Sequence, residues 1–206
     1  MKAVILDLDT LAADDLDLSE LFNQVDNWQL YPHTTPSQLQ ERIADADIVL
    51  TNKVLVGADA MASAKRLKLI AIMATGTNNI DLVAAKRHRV MVCNALGYST
   101  ASVAQHCFAL MLSLVTRLGD YQRAVRRGDW QASQQFCLLS FPIVELAGKT
   151  LGIIGYGELG KKVAMIARAM DMTVIVAESM NHASNNNRVT VKTLLAQSDV
   201  VSLHCP

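Results

Sequence analysis

The run Leu151-Gly152-Ile153-Ile154-Gly155-Tyr156-Gly157-Glu158-Leu159-Gly160 sets Gly155, Gly157 and Gly160 at GxGxxG spacing directly after an apolar stretch. That spacing suits the gripping of a dinucleotide diphosphate. The first glycine permits a tight turn, the second lets the backbone approach the phosphates, and the third lets the following helix pack closely on its strand. The helix N-terminus then offers unpaired N–H groups and a partial positive charge to the anion. Eighteen residues past Gly160, Glu178 closes a second apolar run, Val174-Ile175-Val176-Ala177. A carboxylate there accepts from both ribose hydroxyls of NAD and repels a 2′-phosphate. No arginine stands beside it in sequence; Arg188 lies ten residues on. The expected cofactor is therefore NAD. On these residues alone other readings stay open: a ligand-free strand-turn-helix, a related site such as one for S-adenosylmethionine, and a solvated loop position for Glu178.

Other chemistry finds less support. The cysteines at 93, 107, 137 and 205 form no CxxC pair, and the five histidines show neither HxxxH nor HExxH spacing, so no metal site is expected. Scattered cysteines without pairing spacing fit free thiols in a reducing compartment. Nineteen basic residues balance nineteen acidic ones, which argues against nucleic acid as a partner. The local group Arg117, Arg123, Arg126 and Arg127 reads as a solvated helix end. Asp7 and Asp9 interrupt the apolar N-terminus too early for a secretory signal. The apolar stretch 103–115 is too short to span a bilayer. No membrane association and a cytoplasmic location are expected.

The elements that must position these residues alternate along the chain. Apolar runs at 3–8, 48–50, 68–73 and 90–93 read as buried strands, with helices at 36–44 and at 81–88, the second after the turn Gly76-Thr77-Asn78-Asn79. Strands alternating with helices imply βαβ units and a parallel sheet. A long helix follows over 99–127, with Val103, Cys107, Leu110, Met111, Leu114 and Leu118 on one apolar face, a hydroxyl cap from Ser99 or Thr100, and Gly128-Asp129-Trp130 as its stop. Residues 131–148 are irregular and read as a connection. A second series then runs strand 150–154, helix 158–170, strand 173–177, surface loop 181–188, strand 189–191, helix 193–198 and strand 199–203. The fold class is α/β.

Four blocks carry a resemblance: Thr75-Gly76-Thr77-Asn78-Asn79-Ile80-Asp81; Asn94-Ala95-Leu96-Gly97-Tyr98-Ser99-Thr100-Ala101-Ser102-Val103-Ala104-Gln105; Gly148-Lys149-Thr150 running into the glycine motif; and Ser198-Asp199-Val200-Val201-Ser202-Leu203-His204-Cys205-Pro206. In this order the chain resembles the D-isomer-specific 2-hydroxyacid dehydrogenases, and within them most closely the bacterial glycerate dehydrogenases, or hydroxypyruvate reductases. The resemblance implies a flavodoxin-like substrate domain over 1–98 and a Rossmann NAD-binding domain, a doubly wound parallel sheet, over 99–206. It implies that the backbone of Thr75, Gly76 and Thr77 holds the carboxylate of a small 2-oxo or 2-hydroxy acid, with Lys53 adding positive charge. A plain surface lysine is the competing reading for Lys53. It also implies that Thr100, Gly155, Tyr156, Gly157, Glu158, Leu159, Gly160, Glu178, His204, Cys205 and Pro206 meet the cofactor. For Thr100 a simple helix cap competes. Gln105 stands where the family often has an acid, and Glu178 where aspartate is commoner. A homodimer through the long helix is a further implication.

The resemblance places the arginine, acid and histidine that perform this family's hydride transfer downstream of the last block. The sequence to Pro206 thus holds no catalytic residue, only half of the Rossmann domain, and an exposed sheet edge. His204 is not the family's proton donor. The chain by itself is expected to be an inactive, truncated piece of the oxidoreductase. The alternative is a non-catalytic NAD-binding or interaction module derived from the same family.

Overall fold

The computed structural model describes residues 1–11, 16–179 and 187–205. The chain divides into two compact units, Met1–Gly97 and Tyr98–Pro206. In the first unit β1 (Lys2–Ile5), α1 (Ser19–Phe22), β2 (Asn27–Leu30), α2 (Pro36–Ile43), β3 (Ile48–Thr51), α3 (Ala58–Ser63), β4 (Leu69–Ile72), α4 (Leu82–His88) and β5 (Met91–Asn94) alternate. The strands form one parallel sheet in the order β2-β1-β3-β4-β5. That is the flavodoxin-like order, whose reversal lies between β1 and β3. Ala3, Val4, Ile5 and Leu6 are all buried, so both faces of β1 are covered. A strand in that position needs a continuous apolar run in place of alternation.

Local chemistry sets the helix limits. Pro36 starts α2 where its missing N–H costs nothing, and the Gln38 side chain accepts from Thr35 N–H at 3.1 Å. Asp81 caps α4 by accepting from Ala84 N–H at 2.9 Å, and Lys86, Arg87 and His88 suit the dipole at its end. The first strand is shorter than the apolar run 3–8. It ends at Ile5, and a 3-10 turn over Leu8–Leu11 follows, because Asp7 turns inward to hold the loop after β3.

The second unit contains α5 (Thr100–Val115), α6 (Leu118–Arg126), α7 (Asp129–Ala132), β6 (Thr150–Ile154), α8 (Glu158–Ala169), β7 (Thr173–Val176), α9 (Val191–Gln197) and β8 (Val200–Leu203). Its strands are parallel in the order β7-β6-β8. A single bridge between Ala177 and Val189 adds one more pairing beside β7. The arrangement is the corner of a Rossmann-type doubly wound sheet, with β6 at the point where strand order reverses. The expected strand 189–191 is only this bridge, because Thr190 caps α9 and the chain is already helical at Val191.

The long helix over 99–127 is also corrected. It is two helices bent by 61°, because Arg117 adopts the left-handed conformation, φ 54. The Thr116 hydroxyl donates to Leu112 O at 2.6 Å and closes the first helix. Its buried face is Ala104, Phe108 and Met111, packed on Leu151, Ile153 and Val163. Val103, Leu110, Leu114 and Leu118 of the expected apolar face are instead exposed. No hydroxyl caps α5: its N-cap is Ser99 without a side-chain bond.

Residues 133–149 form no helix or strand, and they lie within the second unit, not between the two. Tyr121 Oη donates to Phe141 O at 2.8 Å, the two rings meet edge to face, and Val144 N–H bonds Val115 O. Most of the expected loop 181–188 falls outside the described residues. Among those described, no single helix is long and apolar enough to cross a membrane.

Candidate functional site

The glycine loop leaves the carboxyl end of β6. Gly155 has φ +94, a region L side chains rarely adopt, and a Cβ there would collide with the backbone of His204 and Cys205. The His204 N–H donates to Ile154 O at 2.7 Å, which carries the β6–β8 pairing up to the turn itself. A Cβ on Gly160 would strike Gly155 O, so this glycine lets α8 sit against its own loop. Val163, Ala164 and Ala167 extend that close packing. Gly157 differs from both. It is the N-cap of α8, with ordinary φ −79, and a Cβ there would meet nothing within 4 Å. The open space over Gly157 is the space a phosphate would fill.

No side chain caps α8, and its ladder starts where Lys161 N–H donates to Gly157 O at 3.0 Å. The N–H groups of the first turn, at Glu158, Leu159 and Gly160, are therefore free of helical partners and aimed outward. These features fit a dinucleotide diphosphate. Glu158 places a carboxylate in the same turn, and Thr100 Oγ1 donates to its Oε1 at 2.5 Å. Two of the residues assigned to the cofactor are thus each other's partners, and the bond ties the start of α5 to the start of α8.

Glu178 follows β7 with its side chain exposed and its N–H donating to Val189 O at 2.8 Å. β6 and β7 are neighbours, so Glu178 stands at the same end of the sheet as the glycine loop. At the end of β8, the His204 ring lies 2.9 Å from Ser202 Oγ through Nε2, and Ser202 Oγ lies 3.3 Å from Cys107 Sγ. Partial burial holds the His204 imidazole below its ordinary pKa, so the ring favours its neutral form. Cys205 is exposed, with its backbone against Gly155. Pro206 lies outside the described residues.

The first unit offers a second set of unpaired donors. Thr75 and Gly76, exposed, and Thr77, half-buried, form a loop after β4, and their N–H groups enter no hydrogen bond among the described residues. Asn94 Nδ2 holds Thr75 O at 2.7 Å, Thr77 O accepts from Ile80 N–H at 3.0 Å, and the buried Asn79 donates to Val54 O at 3.2 Å. Successive backbone N–H groups left free in this way are the chemistry with which a loop can bind an anion. Lys53 stands in the loop after the neighbouring strand β3, with its side chain exposed.

Sequence reasoning missed what shapes that loop. Asp7, only 3% exposed, accepts from the N–H groups of Asn52 (2.9 Å), Lys53 (2.6 Å) and Val54 (3.3 Å) and from Thr51 Oγ1 (3.3 Å). It follows β1 and holds the loop after β3, so it lies at the strand reversal, the end of open α/β sheets where ligands bind. Its signal in the sequence, an aspartate ending an apolar run, read only as a break in hydropathy. Gly152 was also passed over. A Cβ there would strike Ser198 Oγ and Leu194, so this glycine admits α9 to the face of β6.

Residues 108–206 match the family model of the D-isomer specific 2-hydroxyacid dehydrogenase, NAD binding domain. The whole chain is similar to the glycerate dehydrogenase of Methylorubrum extorquens, 41% identical over 206 residues, which are 63% of that protein. It is similar also to the hydroxypyruvate reductase of Blautia hydrogenotrophica, 35% identical over 213 residues and 66% of that protein. Among solved structures, an acyclic imino acid reductase in complex with NADPH and D-Arg superposes with a TM-score of 0.83 at 26% identity, covering all of this chain and 66% of that one. The chain spans about two thirds of the length of these relatives.

Proposed function

The chain belongs to the D-isomer-specific 2-hydroxyacid dehydrogenases, and from that premise we propose that it serves an oxidoreductase reaction between NAD(H) and a small 2-hydroxy or 2-oxo acid, D-glycerate and hydroxypyruvate first. The single observation that carries this reading is the glycine loop, with Gly155 and Gly160 closed by packing and Gly157 open to a ligand. The choice of substrate rests on likeness to the glycerate dehydrogenase and hydroxypyruvate reductase named above.

Bound NAD would supply the hydride acceptor at C4 of its nicotinamide. The chain's own residues bind and orient. The first-turn N–H groups of α8 hold the diphosphate, with Gly157 as the open floor. Glu178 accepts from the ribose hydroxyls. The Thr100 hydroxyl donates to the Glu158 carboxylate and holds it in place at the start of α8. His204 and Cys205 line the loop from the β8 side, and the neutral His204 ring adds no charge there. In the first unit the N–H groups of Thr75, Gly76 and Thr77 take the substrate carboxylate, and Lys53 strengthens the field for an anion. No residue in this sequence is assigned the hydride-accompanying proton transfer. The chain's part is grip and placement.

The exposed Leu110 and Leu114, one turn apart on α5, support self-association into a homodimer, which sedimentation equilibrium tests directly. A cytoplasmic location is part of the same reading. The functional test is NADH oxidation by the protein as its own source makes it, against hydroxypyruvate, glyoxylate and pyruvate. Turnover fastest with hydroxypyruvate and yielding the D-hydroxy acid supports the assignment. Binding of NADH without turnover on any of these acids would favour a non-catalytic NAD-binding module instead.

A further inference from the structure

The adenosine end of the cradle carries charges of both signs. Glu178 leaves β7 with its carboxylate exposed, and its N–H is held by Val189 O at 2.8 Å. The same pairing brings Arg188, the residue before Val189, back to the glycine loop. Its guanidinium carbon lies 5.9 Å from the centroid of the Tyr156 ring, within the range where a cation is drawn to a ring face. Tyr156 sits between Gly155 and Gly157, so this contact tethers Arg188 at the lip of the loop that receives the diphosphate. Among the described residues the guanidinium enters no ion pair. In sequence Glu178 has no arginine beside it; the fold pairs its backbone with Val189 and brings Arg188 to Tyr156 on the neighbouring glycine loop.

The two side chains favour different ribose substituents. A carboxylate accepts from free 2′- and 3′-hydroxyls and repels a phosphate carrying close to two negative charges. The planar guanidinium fork matches a phosphate with two parallel hydrogen bonds. We propose that Arg188 is a specificity-determining residue: it lets the site accept the 2′-phosphate of NADP(H), so that the protein takes both coenzymes and Glu178 and Arg188 together set the ratio. This inference rests on the reading that the second unit binds a nicotinamide dinucleotide.

The test is a pair of fluorescence titrations, NADH and NADPH, on the purified protein as its own source makes it. The wild type is compared with Arg188→Ala, Arg188→Lys and Glu178→Gln. Both coenzymes bind the wild type. Arg188→Ala shifts the affinity ratio toward NADH by at least about tenfold, the loss expected for hydrogen bonds to a charged group. Arg188→Lys, which keeps the charge but not the fork, falls between. Glu178→Gln shifts the ratio the other way. Added salt weakens NADPH more than NADH in the wild type and not in Arg188→Ala. If NADH binds while NADPH does not, or if Arg188→Ala leaves the ratio unchanged, the proposal is overturned and the coenzyme reading stands. If neither coenzyme binds, both fall.

Discussion

Replacing Gly157 with alanine adds one methyl group at the N-cap of α8, on a backbone with φ −79, and the added carbon has no heavy atom within 4 Å. The cost to the fold is small. Alanine is a poorer N-cap than glycine by about 0.5–1 kcal/mol, and the loss of backbone freedom in the unfolded chain offsets about 0.4–1 kcal/mol of it. Stability should therefore stay within about 1 kcal/mol of wild type. Binding is another matter. A phosphate oxygen held by the first-turn N–H groups sits about 2.7–2.9 Å from nitrogen. A methyl group in that space pushes the anion back by about an ångström, past the range where hydrogen bonds hold. Losing two such bonds, each weakened in part, costs about 3 kcal/mol, roughly a hundredfold in Kd. Gly155→Ala is the control in the opposite sense. Its φ of +94 and the clash with the His204 and Cys205 backbone should destabilise the unit by about 2 kcal/mol or more before any ligand is added. Urea unfolding and an NADH titration on both variants read the two effects separately. Wild-type affinity in Gly157→Ala would refute the reasoning, as would instability in it equal to that of Gly155→Ala.

Asp7→Ala orphans the N–H groups of Asn52 and Lys53 and the Thr51 hydroxyl, while Val54 N–H keeps Thr51 Oγ1 at 3.0 Å; the loop at 52–54 is open enough to take up water, so the loss should be about 2–4 kcal/mol. Urea unfolding gives the size, and amide exchange at 52–54 should quicken; a loss below about 1 kcal/mol would mean the carboxylate is incidental. Gly152→Ala should cost about 1–3 kcal/mol by overpacking, and Leu194→Ala in the same chain should recover part of it, a non-additivity that a double-mutant cycle detects. Burial lowers the His204 pKa, so the unfolded state takes the proton first. His204 therefore removes stability as pH falls from about 6.5 toward its depressed folded value, and contributes no pH dependence above 6.5. A proton NMR titration of its ring should show a midpoint below 6.5; a midpoint at or above that value contradicts the burial.

Much of the fold is legible because β1, β3 and β6 are continuous buried runs and α2 and α4 begin at recognisable caps. Ile153, Val163 and Ala167 follow the periods that place them in the core, and the glycine motif sits where strand becomes helix. What was not legible depends on contacts distant in sequence. The break at Arg117 is a backbone conformation at a residue with no glycine to announce it, and an unbroken apolar period hid it. The strand Asn27–Leu30 lies at the sheet edge and is largely exposed, so it carries no apolar run. Of the apolar face expected on α5, Met111 and Cys107 join the core, but Leu110 and Leu114 do not, because Ala104 and Phe108 take the remaining places against β6 and α8. In the site itself, the spacing named the glycines but not their division of work, since only packing distinguishes Gly157 from Gly155 and Gly160. The partnership of Thr100 with Glu158, 58 residues apart, and the return of Arg188 to Tyr156 arise only when the sheet brings loops together.

The central claim is that the loop after β6 holds the dinucleotide, and amide chemical-shift mapping during an NADH titration tests it most directly. Saturable shifts should concentrate at Gly155, Tyr156, Gly157, Glu158, Leu159 and Gly160, with weaker ones at Glu178, His204 and Cys205. Shifts centred elsewhere, or none at millimolar NADH, would contradict the account.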